Sequence, residues 1–314
     1  MMFNNSIAED RIDRYAVGSH QENVLFASFY TMVFILAVPG NILALWVFVR
    51  EKKNTPTKVF LKNLAVADIS YLATLPMRVV YHLTDNNWPL GEIPCRVLGY
   101  FFYLNMYCSL YFMAFISVDR FIALVLPVRS LKLRKPLYAS VGSAILWLCL
   151  TVVTMPLLLS KQTTQVNHSN STRTICMQLY REKTSPQALV STAVAFSIPL
   201  VTIAVSYILI LHRLWSRRRQ QQRSGRQKAT RMIVLVLVNF TVAFLPYHVS
   251  RFVYIEGSLH SGDMGPLALC NRITSSLTCV NGVLDPVLYF FLTKTYRNSL
   301  LQLFHKRNLS NTSY

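Results

Sequence analysis

The sequence predicts an all-α protein: a seven-transmembrane helix bundle followed by a short C-terminal amphipathic helix. Apolar residues make up 53% of the 314-residue chain and only 14% are charged, against about 25% charged residues in soluble domains. The apolar residues form seven runs, each long enough for the roughly 20 residues that cross a bilayer. The net charge of +19 comes from short basic clusters between these runs. That distribution is typical of membrane proteins, so no nucleic-acid partner is expected.

Hydropathy places the seven spans in order along the chain. They lie near residues 24–49, 57–84, 93–126, 137–159, 187–214, 227–256 and 267–291. We therefore divide the chain into residues 1–23 before the bundle, the bundle at 24–292, and a tail at 293–314. In the tail, basic residues are mixed with leucine and phenylalanine, a composition that favours a helix lying at the membrane surface.

The basic residues between the spans predict the orientation. They cluster after the odd-numbered spans, and the loop after span five carries eight of them and no acid. By the positive-inside rule these loops face the cytoplasm and the N-terminus is extracellular. Three glycosylation sequons then fall outside, at Asn4, Asn167 and Asn170. Two cysteines, Cys95 and Cys176, also fall on this oxidising side, where a disulfide would pin the second outer loop over the bundle. Two unrelated thiols are the alternative.

An acid and a base stand side by side where the third apolar run ends. Asp119 and Arg120 follow a stretch, Val97 to Val118, with no charged side chain. Either charge alone would be costly to bury, so we expect the two to hold each other until their surroundings change. From these residues alone, an ordinary helix-end anchor at the membrane interface is an equally good interpretation.

Motifs on all seven spans together resemble the rhodopsin-like (class A) G-protein-coupled receptors. They are Gly40-Asn41, Leu64-Ala65-Val66-Ala67-Asp68, Cys95 with Asp119-Arg120-Phe121, Trp147, Pro199 with Tyr207, Phe240 with Phe244-Leu245-Pro246, and Asn281 with Asp285-Pro286-Val287-Leu288-Tyr289. Residues 102–107 and 248–251 resemble the nucleotide, cysteinyl-leukotriene and lysophospholipid branch. The resemblance implies a plasma-membrane receptor, not an enzyme, whose partners are a heterotrimeric G protein of the inhibitory class, a small ligand and membrane lipids.

The resemblance also implies roles for buried residues. A sodium ion would be held by Asp68, Ser109, Asn281 and Asp285; a protonated Asp68 is the alternative. No other metal or cofactor is expected. The activation switch would comprise Asp119, Arg120, Tyr207, Phe240, Phe244, Pro246 and Tyr289. Phe244 replaces the usual tryptophan, and Arg226 stands where opsins carry an acid. Arg120 therefore lacks an acidic partner on span six, so a constitutively active orphan receptor is one alternative function.

Cationic and aromatic residues in the outer half of the spans predict a pocket for a small anionic ligand. They are Arg78, Tyr81, Tyr103, Tyr107, His248, Arg251, Tyr254 and Arg272. Guanidinium groups suit phosphate or carboxylate, and tyrosines add stacking surface and hydroxyls. The implied ligand is a nucleotide, a leukotriene or a lysophospholipid. For any single residue, contact with the membrane interface is the alternative. A channel or transporter would need a continuous polar stripe or paired broken helices, which the spans lack.

Overall fold

The computed structural model describes residues 19–52, 54–168, 171–180, 184–216, 223–259 and 264–311. It confirms the predicted fold class of seven long apolar helices followed by a C-terminal helix. The spans, numbered one to seven, are His20–Arg50, Pro56–Leu83, Glu92–Val125, Pro136–Leu159, Pro186–Ser216, Thr230–Ser258 and Gly265–Leu292. Shorter helices lie at Pro127–Leu133, Met177–Tyr180 and Lys294–Asn311.

Local sequence explains where several helices begin. The Ser19 hydroxyl accepts a hydrogen bond from the backbone N–H of Glu22 at 3.2 Å, which caps span one. The Thr55 hydroxyl caps span two in the same way, through the N–H of Lys58 at 3.4 Å. These hydroxyls satisfy N–H groups that have no partner inside the helix. Proline opens span two at Pro56 and span four at Pro136, where its missing N–H costs nothing.

Three spans are interrupted rather than continuous helices. Span two consists of Pro56–Leu72 and Leu75–Leu83. Span six passes from an α-helix, Arg223–Asn239, through a π-helical turn, Phe240–Phe244, into Leu245–Leu259. Span seven contains a 3-10 turn, Thr278–Val280, between Met264–Leu277 and Asn281–Leu292. Each change of hydrogen-bond pattern rotates the residues after it relative to those before it, so one helical period does not describe the whole span.

Span three lies at the centre of the bundle and packs against spans two, four and five. Its Leu110, Phe112 and Ile116 side chains are completely buried. Outward-facing residues such as Ile35 and Leu148 are apolar and exposed, as expected of side chains that contact lipid. Spans one and seven meet closely at Gly40, where a Cβ would lie 2.7 Å from the Pro286 ring.

The loop between spans four and five, which the predicted orientation makes the second outer loop, folds as a two-stranded antiparallel hairpin that the sequence pattern did not predict. Strand β1, Thr163–His168, pairs with β2, Ser171–Cys176, and Thr163 lies opposite Cys176. A disulfide joins Cys176 to Cys95 at the start of span three, as predicted. Of the three sequons, Asn167 lies on β1 opposite Thr172, while Asn4 and Asn170 lie outside the described residues.

Candidate functional site

An outer cavity of about 310 Å³ opens between spans three, four and five below the hairpin. Tyr103 and Tyr107 line it from span three, and Arg251 lines it from span six. The wall on span four is mostly apolar, with Leu150, Val153, Pro156 and Leu157, and Met177 and Ala188 add apolar surface. The remaining lining residues are polar: Thr154, Ser160, Gln162, Gln178, Ser191 and Thr192. The cavity thus combines one cationic group and two phenols with a long apolar wall. Such a site suits a ligand with an acidic group and an apolar body.

His248 lies beside this cavity, packed between aromatic rings. Its ring stacks on Phe196 of span five at 4.1 Å and meets the Tyr107 ring edge-on at 6.1 Å. The Nδ1 atom lies 2.8 Å from the Phe244 carbonyl oxygen, so Nδ1 donates and Nε2 is left as an acceptor. Nε2 is buried without a hydrogen-bond partner among the described residues. A ligand hydroxyl or amide would satisfy it.

A second cationic cluster lies between spans one, two, three and seven. Arg78 is only 2% exposed; one terminal nitrogen donates to the Tyr30 hydroxyl at 3.3 Å, and its guanidinium lies over the Phe102 ring at 5.0 Å. Arg272 is 7% exposed and lies over the Phe26 ring at 5.1 Å. Among the described residues neither guanidinium pairs with a carboxylate, and each keeps two buried nitrogens without a hydrogen-bond partner. Unpaired buried charge of this kind favours an anion.

The two remaining predicted ligand residues pack rather than line the cavity. Tyr81 is completely buried against Trp88, near the disulfide. Tyr254 is buried with Ala268 and carries the Arg251 guanidinium over its ring at 5.8 Å. The structure therefore arranges the eight predicted residues as a cavity group, a buried Arg78 and Arg272 group, and two supporting tyrosines. Their contact with a ligand stays a prediction.

The hairpin is fixed over the cavity at both strands. Glu92, in the first turn of span three, accepts backbone N–H bonds from Gln162 at 2.6 Å and Thr163 at 3.0 Å. The backbone of Trp88 donates to the Thr174 carbonyl at 2.7 Å on the other strand. Arg173 donates to the backbone oxygen of Asp85 at 2.7 Å. The hydrogen bond from His20 to the exposed Asp85 carboxylate lowers the pKa of that carboxyl, so Asp85 stays charged at neutral pH.

The four residues predicted to hold sodium do converge in the middle of the bundle. The Asn281 amide nitrogen donates to Asp68 at 3.2 Å, to the Ser109 hydroxyl at 3.2 Å and to Asp285 at 2.9 Å. Two further residues were not predicted. Asn105 donates to Asp68 at 2.9 Å, and Asn239 donates to Asp285 at 2.8 Å. The sequence could not indicate the role of either residue, because a single amide in an apolar run does not show which residue it contacts. The structure was needed to show both contacts.

The donor set of this buried centre fits a small hard cation. Both carboxylates are essentially inaccessible, and two buried carboxylates need a cation or a proton between them. Asp68, Ser109 and Asp285 would supply oxygen ligands, as a hard cation prefers. The Asn281 carbonyl oxygen instead accepts a hydrogen bond from Asn239 at 2.9 Å. Asn281 would therefore position the carboxylates rather than bind the ion. Tyr289, of the predicted switch, points into the same centre, 3.4 Å from Asp68.

At the inner end of span three, Asp119 and Arg120 form the predicted ion pair at 2.7 Å. The same carboxylate also accepts from Thr57 at 2.7 Å and binds Arg134, neither of which was predicted. Tyr207 is buried nearby on span five. On span six, Phe240 and Phe244 lie in the π-helical turn just before Pro246, and Phe240 stacks on Phe196 at 5.4 Å. Of the predicted switch residues, Phe240, Phe244 and Pro246 thus lie in the irregular part of span six, and Asp119 and Arg120 lie at the charged inner end of span three.

The chain belongs to the rhodopsin family of seven-transmembrane receptors, whose family model, the 7 transmembrane receptor (rhodopsin family), matches residues 40–289. It is therefore a G-protein-coupled receptor of the plasma membrane and not an enzyme. It is 52% identical to the human uracil nucleotide/cysteinyl leukotriene receptor over 290 residues, which cover 90% of this chain and 77% of that one. The sequences at residues 25–30, 130–134 and 178–183 predict a likeness to this receptor, and the comparison confirms it.

More distant relatives lie in the same branch of the family. The human cysteinyl leukotriene receptor 1 is 33% identical over 307 residues, covering 93% of this chain and 88% of that receptor. A purinoceptor of Xenopus laevis is 32% identical over 291 residues, covering 89% of this chain and 53% of that receptor. The predicted branch of nucleotide and cysteinyl-leukotriene receptors is confirmed.

Proposed function

We propose that this receptor responds to a small anionic extracellular ligand, a nucleotide or an acidic lipid mediator, and couples to a heterotrimeric G protein of the inhibitory class. The observation that carries the ligand class is the pair of buried guanidinium groups, Arg78 and Arg272, that no carboxylate of the described chain neutralises. Arg251 adds a third cationic group at the cavity. Relatives named for uracil nucleotides and cysteinyl leukotrienes, both anionic, support the same class.

The shape of the cavity favours one acidic group near Arg251 with the rest of the ligand along span four. Apolar side chains dominate that wall, and a nucleotide lying along it would pair few of its hydroxyls, which costs binding energy. The polar lining residues Gln178, Ser191 and Thr192 belong to other elements. The phenols of Tyr103 and Tyr107 offer hydrogen bonds close to Arg251. An elongated acidic lipid would satisfy both parts of the cavity. A nucleotide would instead need contacts to Arg78 and Arg272.

The test is a G-protein dissociation assay in cells, first without ligand and then against uracil nucleotides, cysteinyl leukotrienes and lysophospholipids, with sensors for each Gα class. Arg251→Ala should raise the half-maximal concentration of the active ligand roughly 10- to 150-fold, the equivalent of one charge-assisted hydrogen bond worth about 1.5–3 kcal/mol. Arg78→Ala should do the same where the active ligand is a nucleotide. Surface expression should stay unchanged. Lys161→Ala is the control, since it removes an exposed cation from the loop between spans four and five.

Several outcomes would contradict this proposal. If neither arginine variant changes the potency of the active ligand, the assignment of these arginines to the ligand pocket is wrong. A strong signal without ligand, insensitive to both substitutions, would favour the constitutively active alternative. Dissociation of a stimulatory Gα alone would overturn the coupling class. An N-terminal epitope that is accessible only after permeabilisation would overturn the extracellular N-terminus on which the pocket's orientation depends.

A further inference from the structure

Two buried arginines in the bundle each keep one two-donor edge of the guanidinium group without a protein partner. The Nε and Nη2 atoms of Arg78, which is 2% exposed, make no hydrogen bond to the described residues. The Nη1 and Nη2 atoms of Arg272, which is 7% exposed, make none either. Each pair of nitrogens is a planar fork that can hold an anion through two N–H groups at once. The two side chains therefore offer four buried donor atoms where solvent has little access.

Aromatic rings surround the Arg78 charge but do not satisfy its donors. The guanidinium lies over the rings of Tyr30, Tyr71 and Phe102 at 5.5, 5.6 and 5.0 Å. One terminal nitrogen donates to the Tyr30 hydroxyl at 3.3 Å. Ring faces attract a cation, but they do not accept hydrogen bonds from N–H groups that lie in the guanidinium plane as an anion would. The enclosure thus stabilises the position of Arg78 and leaves its free fork in need of an acceptor.

One aromatic stack connects the two arginines. Arg272, on span seven, lies over the Phe26 ring at 5.1 Å. His82 stacks on Phe26 at 5.1 Å and on Tyr30, the residue that Arg78 binds, at 5.7 Å. Both guanidinium charges act electrostatically on the His82 ring. Two like charges that act on one ring also repel each other, so an anion near both would lower the cost of burying them.

No carboxylate in the ranges that the structure describes takes this role. Neither Arg78 nor Arg272 forms a salt bridge there. Two carboxylates in the outer loops are bound elsewhere: Asp85 lies 2.9 Å from His20, and Glu92 lies 2.7 Å from Arg96. Neither buried arginine lines the cavity between spans three, four and five. The free forks therefore define a separate site between spans one, two, three and seven.

We propose that Arg78 and Arg272 bind a small inorganic anion, chloride or phosphate, which neutralises them in the receptor without agonist. A small anion suits side chains this enclosed, since the base and ribose of a nucleotide would require the surrounding spans to separate. An acidic lipid in the cavity beside Arg251 would not compete with this anion. A nucleotide whose phosphates reach the same forks would have to displace it. The inference goes beyond the proposed ligand and does not depend on it.

The first measurement is thermal unfolding of the purified full-length receptor without agonist. Sodium gluconate would replace sodium chloride at the same concentration, so that sodium and ionic strength stay constant, and chloride or phosphate would then be titrated back. An anion that binds should raise the midpoint along a saturable curve, by roughly 5–10 °C at a hundredfold excess over its dissociation constant. Saturation distinguishes binding from the general stabilisation by salt, which continues to rise with concentration.

Substitutions assign the effect to the two forks. Arg78→Met and Arg272→Met keep an apolar stem and remove the charge with its fork. Each should lose the dependence on chloride and phosphate, and each midpoint should equal or exceed that of the wild type in gluconate, because an uncompensated buried charge is gone. Arg78→Lys keeps the charge without the fork and should bind the anion roughly tenfold more weakly. Lys161→Met is the control: it removes an exposed cation from the loop between spans four and five and should keep the full dependence.

The second measurement locates the ion. Crystals of the receptor grown in sodium bromide, with data recorded at the bromine absorption edge, should show an anomalous peak within hydrogen-bonding distance of the free nitrogens of Arg78 and Arg272. Bromide stands in for chloride, since the two ions have the same charge and similar size. A peak away from both arginines, with none between them, would overturn the inference.

The thermal series separates an anion site from an aromatic enclosure that needs no counter-ion. An equal wild-type midpoint in gluconate, chloride and phosphate would show that none of these anions binds, and the inference would be wrong. If Arg78→Met and Arg272→Met respond to chloride and phosphate as the wild type does, the anion binds elsewhere and the assignment to these residues is wrong. Because neither measurement uses an agonist or a G protein, both results stand whether or not the proposed ligand and coupling are correct.

Discussion

Replacing Gly40 by alanine should destabilise this receptor through one contact that the structure defines closely. The new Cβ would lie 2.7 and 2.8 Å from Pro286 ring carbons, so spans one and seven must separate by roughly 0.7 Å to reach ordinary contact at 3.4 Å. Neither side can yield easily, since the proline ring is rigid and lies inside a helix. Extra atoms in a packed core cost about 1–3 kcal/mol.

Part of that cost is offset, because alanine is favoured over glycine inside a helix by about 0.5–1 kcal/mol. The net loss should be about 1–2 kcal/mol. For a chain of this size that corresponds to a fall in the thermal midpoint of roughly 2–8 °C. The tight contact also holds the span that carries Tyr289. We therefore expect a lower yield of folded receptor as well as a lower midpoint.

The chain supplies its own controls. Gly142 on span four has open space where a Cβ would be, and at Gly282 the nearest atoms would lie at 3.5 Å. Gly142→Ala should leave the midpoint unchanged or raise it by roughly 1–4 °C, since only the helix-propensity gain applies. Gly282→Ala should fall between the two. The assay is thermal unfolding of purified receptor. Equal midpoints for Gly40→Ala and Gly142→Ala would refute the argument from close packing.

Two further predictions concern the buried centre and the outer bridge. If sodium binds at Asp68 and Asp285, replacing NaCl by choline chloride should lower the thermal midpoint of the wild-type receptor. The Asp68→Asn variant should lose this dependence on sodium. A wild-type midpoint that does not change with sodium would favour a protonated carboxyl instead. Removing the Cys95–Cys176 bridge as a double alanine variant should cost up to about 4.5 kcal/mol, from the loop entropy of a sequence separation of 81. Normal surface expression and an unchanged midpoint would show that the hydrogen bonds of the hairpin suffice without the bridge.

The fold was predictable because each span is a long apolar run with its own boundaries. The predicted second span, residues 57–84, differs by one residue at each end from Pro56–Leu83. The hairpin was not predictable in the same way. Its strands carry polar residues on both faces of the pair, and they are held by Glu92 and Trp88 from distant parts of the chain. Such long-range contacts leave no periodic signal in a single sequence.

The candidate site was predictable as a set of residue types but not as an arrangement. Tyr103 and Tyr107 are four residues apart, so helical spacing predicts that they share one face, and both line the cavity. On span six, His248, Arg251 and Tyr254 follow at intervals of three, which predicts a shared face. The structure instead packs His248 against Phe196 and Tyr254 with Ala268. From the sequence, Arg134 is one of several basic residues in an inner loop, because the positive-inside rule depends on the number of basic residues and not on their partners.

The attachments of the hairpin to span three bear on where a ligand can enter the bundle from the outer surface. Glu92 binds the backbone where β1 begins, and the bridge from Cys176 fastens the end of β2 to the same first turn of span three. Two attachments to the same helical turn limit the movement of the hairpin relative to span three. We therefore expect a ligand to enter beside the hairpin, through the gap between neighbouring helices, rather than by displacing it.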